Sequence, residues 1–142
     1  MKDGSGQSLL IDTNVLLRFL TGDDPSKAEA CKELFERAER NEVELHINEL
    51  VLAELVWTLR SSYGRAREQI VEALEAIMSL AGLHVHRKAV LEEAIDLYER
   101  FNVDFVDAYN AADLRARGLD AVCSYDAHFD RLGVRRLAPG EH

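Results

Sequence analysis

Four acids carry most of the chemistry that this chain could do: Asp12, Glu54, Asp107 and Asp126. Asp12 ends the apolar run Leu9-Leu10-Ile11, and an apolar helical pattern begins just after it with Val15, Leu16 and Phe19. A carboxylate at the carboxyl end of a parallel strand faces the crevice where open α/β sheets bind ligands. Glu54 sits in the apolar stretch from Val51 to Trp57, Asp107 near the start of a helix, and Asp126 just after the apolar run Ala121-Val122-Cys123. Four carboxylates converging on one crevice would repel one another unless a hard cation sat among them. The set points to a divalent metal site, and so to phosphate chemistry.

Each acid also has a plain structural explanation. Asp12 is a favoured residue type for the N-cap of the next helix, a role Thr13 and Asn14 could share. Glu54 lies either on the outer face of its helix or partly buried with a partner, since buried acids are costly alone. Leu50, Glu54 and Trp57 share one face by three-and-four spacing, which favours the site reading for Glu54, while Trp57 itself reads as core. Asp104 is accounted for by an N-cap followed by an acid at the third helical position. After Asp107 the small residues Ala108, Ala111 and Ala112 let the helix pack closely and bring its first turn near the strand ends. Asp126 follows a strand as Asp12 does, and Asp130 reads as a cap or a solvent-facing acid. Ser124 either holds Asp12 or Asp126 through its hydroxyl or is an ordinary strand-end serine. His128 reads as a surface or capping histidine, because a hard oxygen site does not need it. His84 and His86 alternate with apolar residues and mark the exposed face of a strand. A Gly-rich phosphate loop, a GxSxG elbow and a catalytic-cysteine arrangement are all absent from the sequence.

The elements that must position these residues are legible from caps and periodicity. Asp24-Pro25 predicts an N-cap and first helical residue, with the helix running to about Asn41. Leu45-His46-Ile47 predicts a strand, and Asn48 caps a helix through Ser62 that Tyr63-Gly64 closes. Further helices are expected over Arg67–Leu80, Lys88–Phe101 and Phe105–Arg117, and strands over Leu83–Val85, Ala121–Ser124 and Val134–Leu137. Short strands alternating with helices predict an α/β fold of parallel units with helices on both faces of the sheet. Residues 1–8 are polar and rich in Gly and Ser, and read as a flexible leader.

The chain has 142 residues, the size of one domain, and 47% of them are apolar. It has no apolar stretch long enough to span a bilayer and no signal-peptide pattern. Cys31 and Cys123 form no CxxC or Cys/His cluster, so a reducing cytoplasm is expected. With 17 basic against 26 acidic residues the net charge is −9, which argues against a generic nucleic-acid coat. It does not exclude a nuclease, because metal ions supply positive charge at the cleavage site and local arginines can guide a phosphate backbone. Arg18, Arg60, Arg65, Arg67, Arg115 and Arg117 are the candidates for that guidance, against the plainer reading of solvated helix faces.

Four segments, in order, resemble the PIN-domain ribonucleases, and especially the VapC-type toxins of toxin–antitoxin pairs. They are Leu10-Ile-Asp-Thr-Asn-Val-Leu-Leu-Arg18, Asn48-Glu-Leu-Val-Leu-Ala-Glu-Leu55, Asp104-Phe-Val-Asp-Ala-Tyr-Asn-Ala-Ala112 and Cys123-Ser-Tyr-Asp-Ala-His-Phe-Asp-Arg-Leu132. The first and last are the more specific. The resemblance implies a three-layer α/β/α sandwich with a mainly parallel sheet of about five strands, formed by residues 9–142 as a single domain. It implies Asp12, Glu54, Asp107 and Asp126 as the metal-binding acids, with Ser124 and Asn14 in supporting positions. The activity implied is a Mg²⁺- or Mn²⁺-dependent endoribonuclease acting on single-stranded or structured RNA, inhibited by a small antitoxin. A homodimer is also implied, and the apolar helical residues Leu52, Leu55, Val56 and Leu59 fit one. A chain this acidic is not expected to bind duplex DNA by itself. Two rival readings remain at this level. One is a PIN-like binding module that has lost catalysis. The other is a phosphatase- or receiver-like phosphoryl domain, but Asp12-x-Asn14 lacks the second Asp of the former and the latter's paired acids are missing.

Overall fold

The computed structural model describes residues 6–141. The leader expected over residues 1–8 falls mostly outside that range, and Ser8 already belongs to the first strand. The chain divides into two compact units, with the boundary between Arg87 and Lys88. Among the described residues no helix is long and apolar enough to cross a membrane.

The first unit holds β1 (Ser8–Leu10), α1 (Thr13–Thr21), α2 (Pro25–Glu39), β2 (Glu44–Ile47), α3 (Glu49–Ser61), α4 (Arg67–Met78) and β3 (Leu83–Val85). Its strands are all parallel in the order β1-β2-β3. The period-two alternation of β2 buries Leu45 and Ile47 and leaves Glu44 and His46 part-exposed on the opposite face. The expected caps form: Asp24 accepts from the Lys27 N–H at 3.1 Å ahead of Pro25, and Asn48 accepts from the Val51 N–H at 3.0 Å. Leu16, Leu45, Ile47, Leu52, Leu55, Ile70, Leu74 and Ile77 form the fully buried centre. Gly82 leads into β3 at φ +82°, and a Cβ there would lie 2.3 Å from the Ala38 carbonyl oxygen, so only glycine fits.

Helix α3 corrects the expectation for Trp57. Its inner stripe is Val51, Leu52, Leu55, Val56 and Leu59, all buried. Trp57 and Leu50 lie on the other side, 67% and 79% exposed. The stripe already fills the core-facing arc of a 13-residue helix, so no buried place remains for the indole. The same observation removes Leu52, Leu55, Val56 and Leu59 as an argument for a dimer surface, because the chain buries them itself.

The second unit holds α5 (Lys88–Arg100), α6 (Phe105–Arg117), β4 (Val122–Cys123), a 3-10 helix (Ala127–Leu132) and β5 (Arg136–Leu137). Helices α5 and α6 pack on one another, the buried Ala108, Ala111 and Ala112 allowing close approach. Tyr98 meets Phe105 edge to face at 5.8 Å between ring centroids. Gly118 ends α6 in the left-handed conformation. The 3-10 helix that follows Asp126 has no counterpart among the expected elements. The structure is α/β with parallel strands, as expected, but among the described residues hydrogen bonds group the five strands as three and two. The two-residue strands β4 and β5 satisfy each other, with Val122 N–H donating to Arg135 O and Ser124 N–H to Leu137 O, each at 2.9 Å.

Candidate functional site

Within the second unit, Asp107, Asp126 and His128 each offer a ligand atom, and these atoms lie within 4.8 Å of one another. Three local devices build the group. Asp107 is in the first turn of α6, which Asp104 starts at the N-cap position without a side-chain cap bond. Asp126 leaves β4 and caps the 3-10 helix, its carboxylate accepting the His128 N–H at 2.8 Å. The His128 ring then folds back, its Nδ1 3.1 Å from the same carboxylate oxygen. Ser124 supports Asp126, but through the backbone: its hydroxyl oxygen accepts the Asp126 N–H at 2.9 Å. Arg136 fixes the rest of the loop by a forked pair to Asp130, at 3.0 and 3.3 Å, and by donating to the Ser124 carbonyl at 3.2 Å.

The Asp107 carboxyl is pushed above its ordinary range, first by burial and then by the neighbouring Asp126 and Asp104 carboxylates, with His128 acting in the opposite direction. Repulsion among acids was the expected cause, and burial is the larger one. An acid held in this way gains from a cation. The donor set of two carboxylates and one imidazole could hold a divalent ion.

Within the first unit, Asp12 is the N-cap of α1 and accepts the Thr13 N–H at 2.8 Å. The capping role expected of Asp12 is therefore realised. Thr13 is buried, and its hydroxyl reaches the Val51 carbonyl of α3 at 3.4 Å, fixing the start of α1 against the helix that carries Glu54. Glu54 takes the outer-face alternative, exposed between Leu50 and Trp57. Asn14 lines a cavity of about 350 Å³ between α1 and α2, together with Val15, Arg18, Lys27, Ala30 and Cys31. Several candidate guiding arginines are already engaged: Arg18 with Asp23 at 3.1 Å, Arg117 with Asp113 at 3.7 Å, and Arg115 with Glu93 at 2.8 Å and the Leu132 carbonyl at 2.6 Å. For these three the plainer surface reading holds.

The PIN-domain family model matches residues 9–135. The chain belongs to the PIN-domain family. A VapC ribonuclease from Aquifex aeolicus (strain VF5) is 33% identical over 132 residues, which is 93% of this chain and 97% of that protein. A solved toxin, Mycobacterium tuberculosis VapC20, described as cleaving the sarcin–ricin loop, aligns over 94% of this chain and 100% of its own at 17% identity and a TM-score of 0.40, too remote to carry argument. This PIN domain is thus homologous to a VapC ribonuclease, and the resemblance carried by its four segments holds. His128 is a surface histidine, as expected, and the spacing of two in a tight turn brings its ring beside the Asp126 carboxylate.

Proposed function

We propose that this PIN domain is a divalent-metal-dependent endoribonuclease and the toxin of a toxin–antitoxin pair. The observation that carries the reading is homology over nearly the whole chain to a protein named as a VapC ribonuclease. The grouping of Asp107 with Asp126 supports it chemically. Residues 9–142 act as one nuclease domain in this reading, with Asp12, Glu54, Asp107 and Asp126 as the metal-binding acids.

When bound, Mg²⁺ or Mn²⁺ supplies an activated water and positive charge opposite the scissile phosphate. The chain's own residues do the rest. Asp107 and Asp126 would hold the ion from a helix turn and a strand end. Asp12, which also caps α1, and Glu54 would supply the other two carboxylates of the set. Ser124 fixes the backbone of Asp126, and Asn14 takes the other supporting position. The substrate is single-stranded or structured RNA, the partners are a second copy of the chain and a small antitoxin, and the compartment is the cytoplasm. Duplex DNA binding is expected only with the antitoxin.

The deciding experiment is cleavage of a mixed RNA pool by the full chain, with Mg²⁺ or Mn²⁺ and with chelator, for the parent and Asp12→Asn. Cleavage that needs the ion and disappears in the variant supports the reading. Cleavage that survives chelation, or proceeds at the parental rate in the variant, overturns it.

A further inference from the structure

A second cluster of metal-ligating side chains lies wholly within the first unit and includes none of the four acids. Glu44, His46 and His84 offer ligand atoms that all lie within 4.8 Å of one another. The sheet itself makes the arrangement. Glu44 and His46 are two apart on β2, so strand alternation puts them on one face. His46 and His84 are register partners across the parallel β2–β3 pair, which brings the second imidazole alongside the first.

We propose that Glu44, His46 and His84 form a second metal site, one that takes a borderline transition ion of the Zn²⁺ type rather than Mg²⁺. Two imidazoles with one carboxylate are a donor set for Zn²⁺, Ni²⁺ or Cu²⁺, whereas Mg²⁺ prefers oxygen. The distances fit. Glu44 Oε1 lies 3.4 Å from His84 Nε2 and 3.8 Å from His46 Nε2. Neighbouring ligands in a tetrahedral shell with zinc bonds of 2.0–2.1 Å stand about 3.4 Å apart. The carboxylate is also aimed. Ser8 of β1 donates to the other Glu44 oxygen, Oε2, at 2.8 Å, leaving Oε1 toward the imidazoles, as an outer-shell partner orients a ligand. His84 is exposed and His46 partly so, which gives an ion a path from solvent.

One adjustment is required. The rings are stacked, 4.8 Å between centroids with 21° between planes. An imidazole lone pair lies in the ring plane, so loading must turn the two rings edge-on toward a common point. Three protein donors leave one tetrahedral position for water, and the loaded ion ties β2 to β3. This inference does not depend on the ribonuclease reading.

The test uses the full chain in millimolar Mg²⁺, titrated with Zn²⁺ by calorimetry and by NMR of the histidine ring nitrogens. One Zn²⁺ should bind in a step that moves the His46 and His84 signals together. His84→Gln and His46→Gln should abolish that step, and Glu44→Gln should weaken it about tenfold or more. Asp126→Asn with His128→Ala, which removes the other cluster, should leave it in place. Circular dichroism checks that each variant is folded. Zn²⁺ binding by His84→Gln at parental affinity and stoichiometry would overturn the proposal. So would ring signals of His46 and His84 that stay fixed, or that respond only while His128 is present.

Discussion

The two histidine–carboxylate clusters are built from the same residue types in opposite proportion. In the second unit, two carboxylates and one imidazole meet where a helix turn, a strand end and a 3-10 turn come together. In the first, two imidazoles and one carboxylate stand on the flat face of adjacent parallel strands. The first arrangement is oxygen-rich and includes a partly buried acid whose carboxyl is pushed up. The second is nitrogen-rich and open to solvent. In the two proposals donor softness separates the ions: hard Mg²⁺ or Mn²⁺ for the acids, a Zn²⁺-type ion for the histidines.

The largest expected effect tests that division. Asp12→Asn should lower metal-dependent RNA cleavage by more than about a hundredfold, since a metal's charge stabilisation is worth several kcal/mol in the transition state. Asparagine keeps an oxygen for the Thr13 N–H, so the α1 cap and the fold should survive. Zn²⁺ binding at Glu44, His46 and His84 should be unchanged in the same variant. A variant that loses both properties would mean that Asp12 and the histidine cluster are coupled, and the comparison would fail.

The legibility of the two clusters differs for a physical reason. Asp107 and Asp126 could be picked out because element ends carry strong local signals: an N-cap acid, an apolar run that stops, small residues that follow. The boundaries of α6 and β3 were readable to the residue for the same reason. The Glu44 group is a tertiary fact. His84 was read as an exposed strand residue, which it is, but its partner on β2 depends on a register between segments almost forty positions apart. The Glu44-x-His46 spacing was the only local trace. Trp57 failed for another reason. Composition marks tryptophan as core, whereas the stripe of α3 was already complete without it. The face shared by Leu50, Glu54 and Trp57 favours the site reading for Glu54, and α3 presents that face outward.

The two sides of α3 give the next comparison. Leu52 is fully buried, and Leu52→Ala should destabilise the protein by about 2–5 kcal/mol in urea unfolding. Trp57 is 67% exposed, and Trp57→Ala should change stability by no more than about 0.5 kcal/mol at low micromolar concentration. The pair sharpens the proposed homodimer as well. The interior of α3 cannot serve as an interface, so any dimer must use surface such as Leu50 and Trp57. If Trp57→Ala proves as costly as Leu52→Ala, and the cost shrinks as both proteins are diluted, that surface is covered by a second copy.

The smallest effect isolates the acid cluster without any substrate. Burial and the Asp126 and Asp104 carboxylates push the Asp107 carboxyl above its ordinary value of 3.8. The folded state therefore holds that proton more tightly than the unfolded chain does. With chelator present, this contribution to stability is complete below the unfolded value and is lost as pH rises through the raised folded value. Asp23, Glu42 and Glu49 behave in the opposite way. Their carboxyls lie below the ordinary values, so their stabilisation is lost as pH falls. A single melting curve against pH mixes the two signs, and the difference between the parent and Asp107→Asn separates them. The variant should match the parent near pH 3 and melt higher at pH 7, by no more than a few degrees, roughly the shift that 1 kcal/mol produces in a chain of this size. Millimolar Mg²⁺ or Mn²⁺ should then reverse the order, because an ion that binds only the folded parent stabilises it by mass action. Parallel pH curves for the two proteins with chelator, and no response of either to the ion, would remove the acids' claim to a metal.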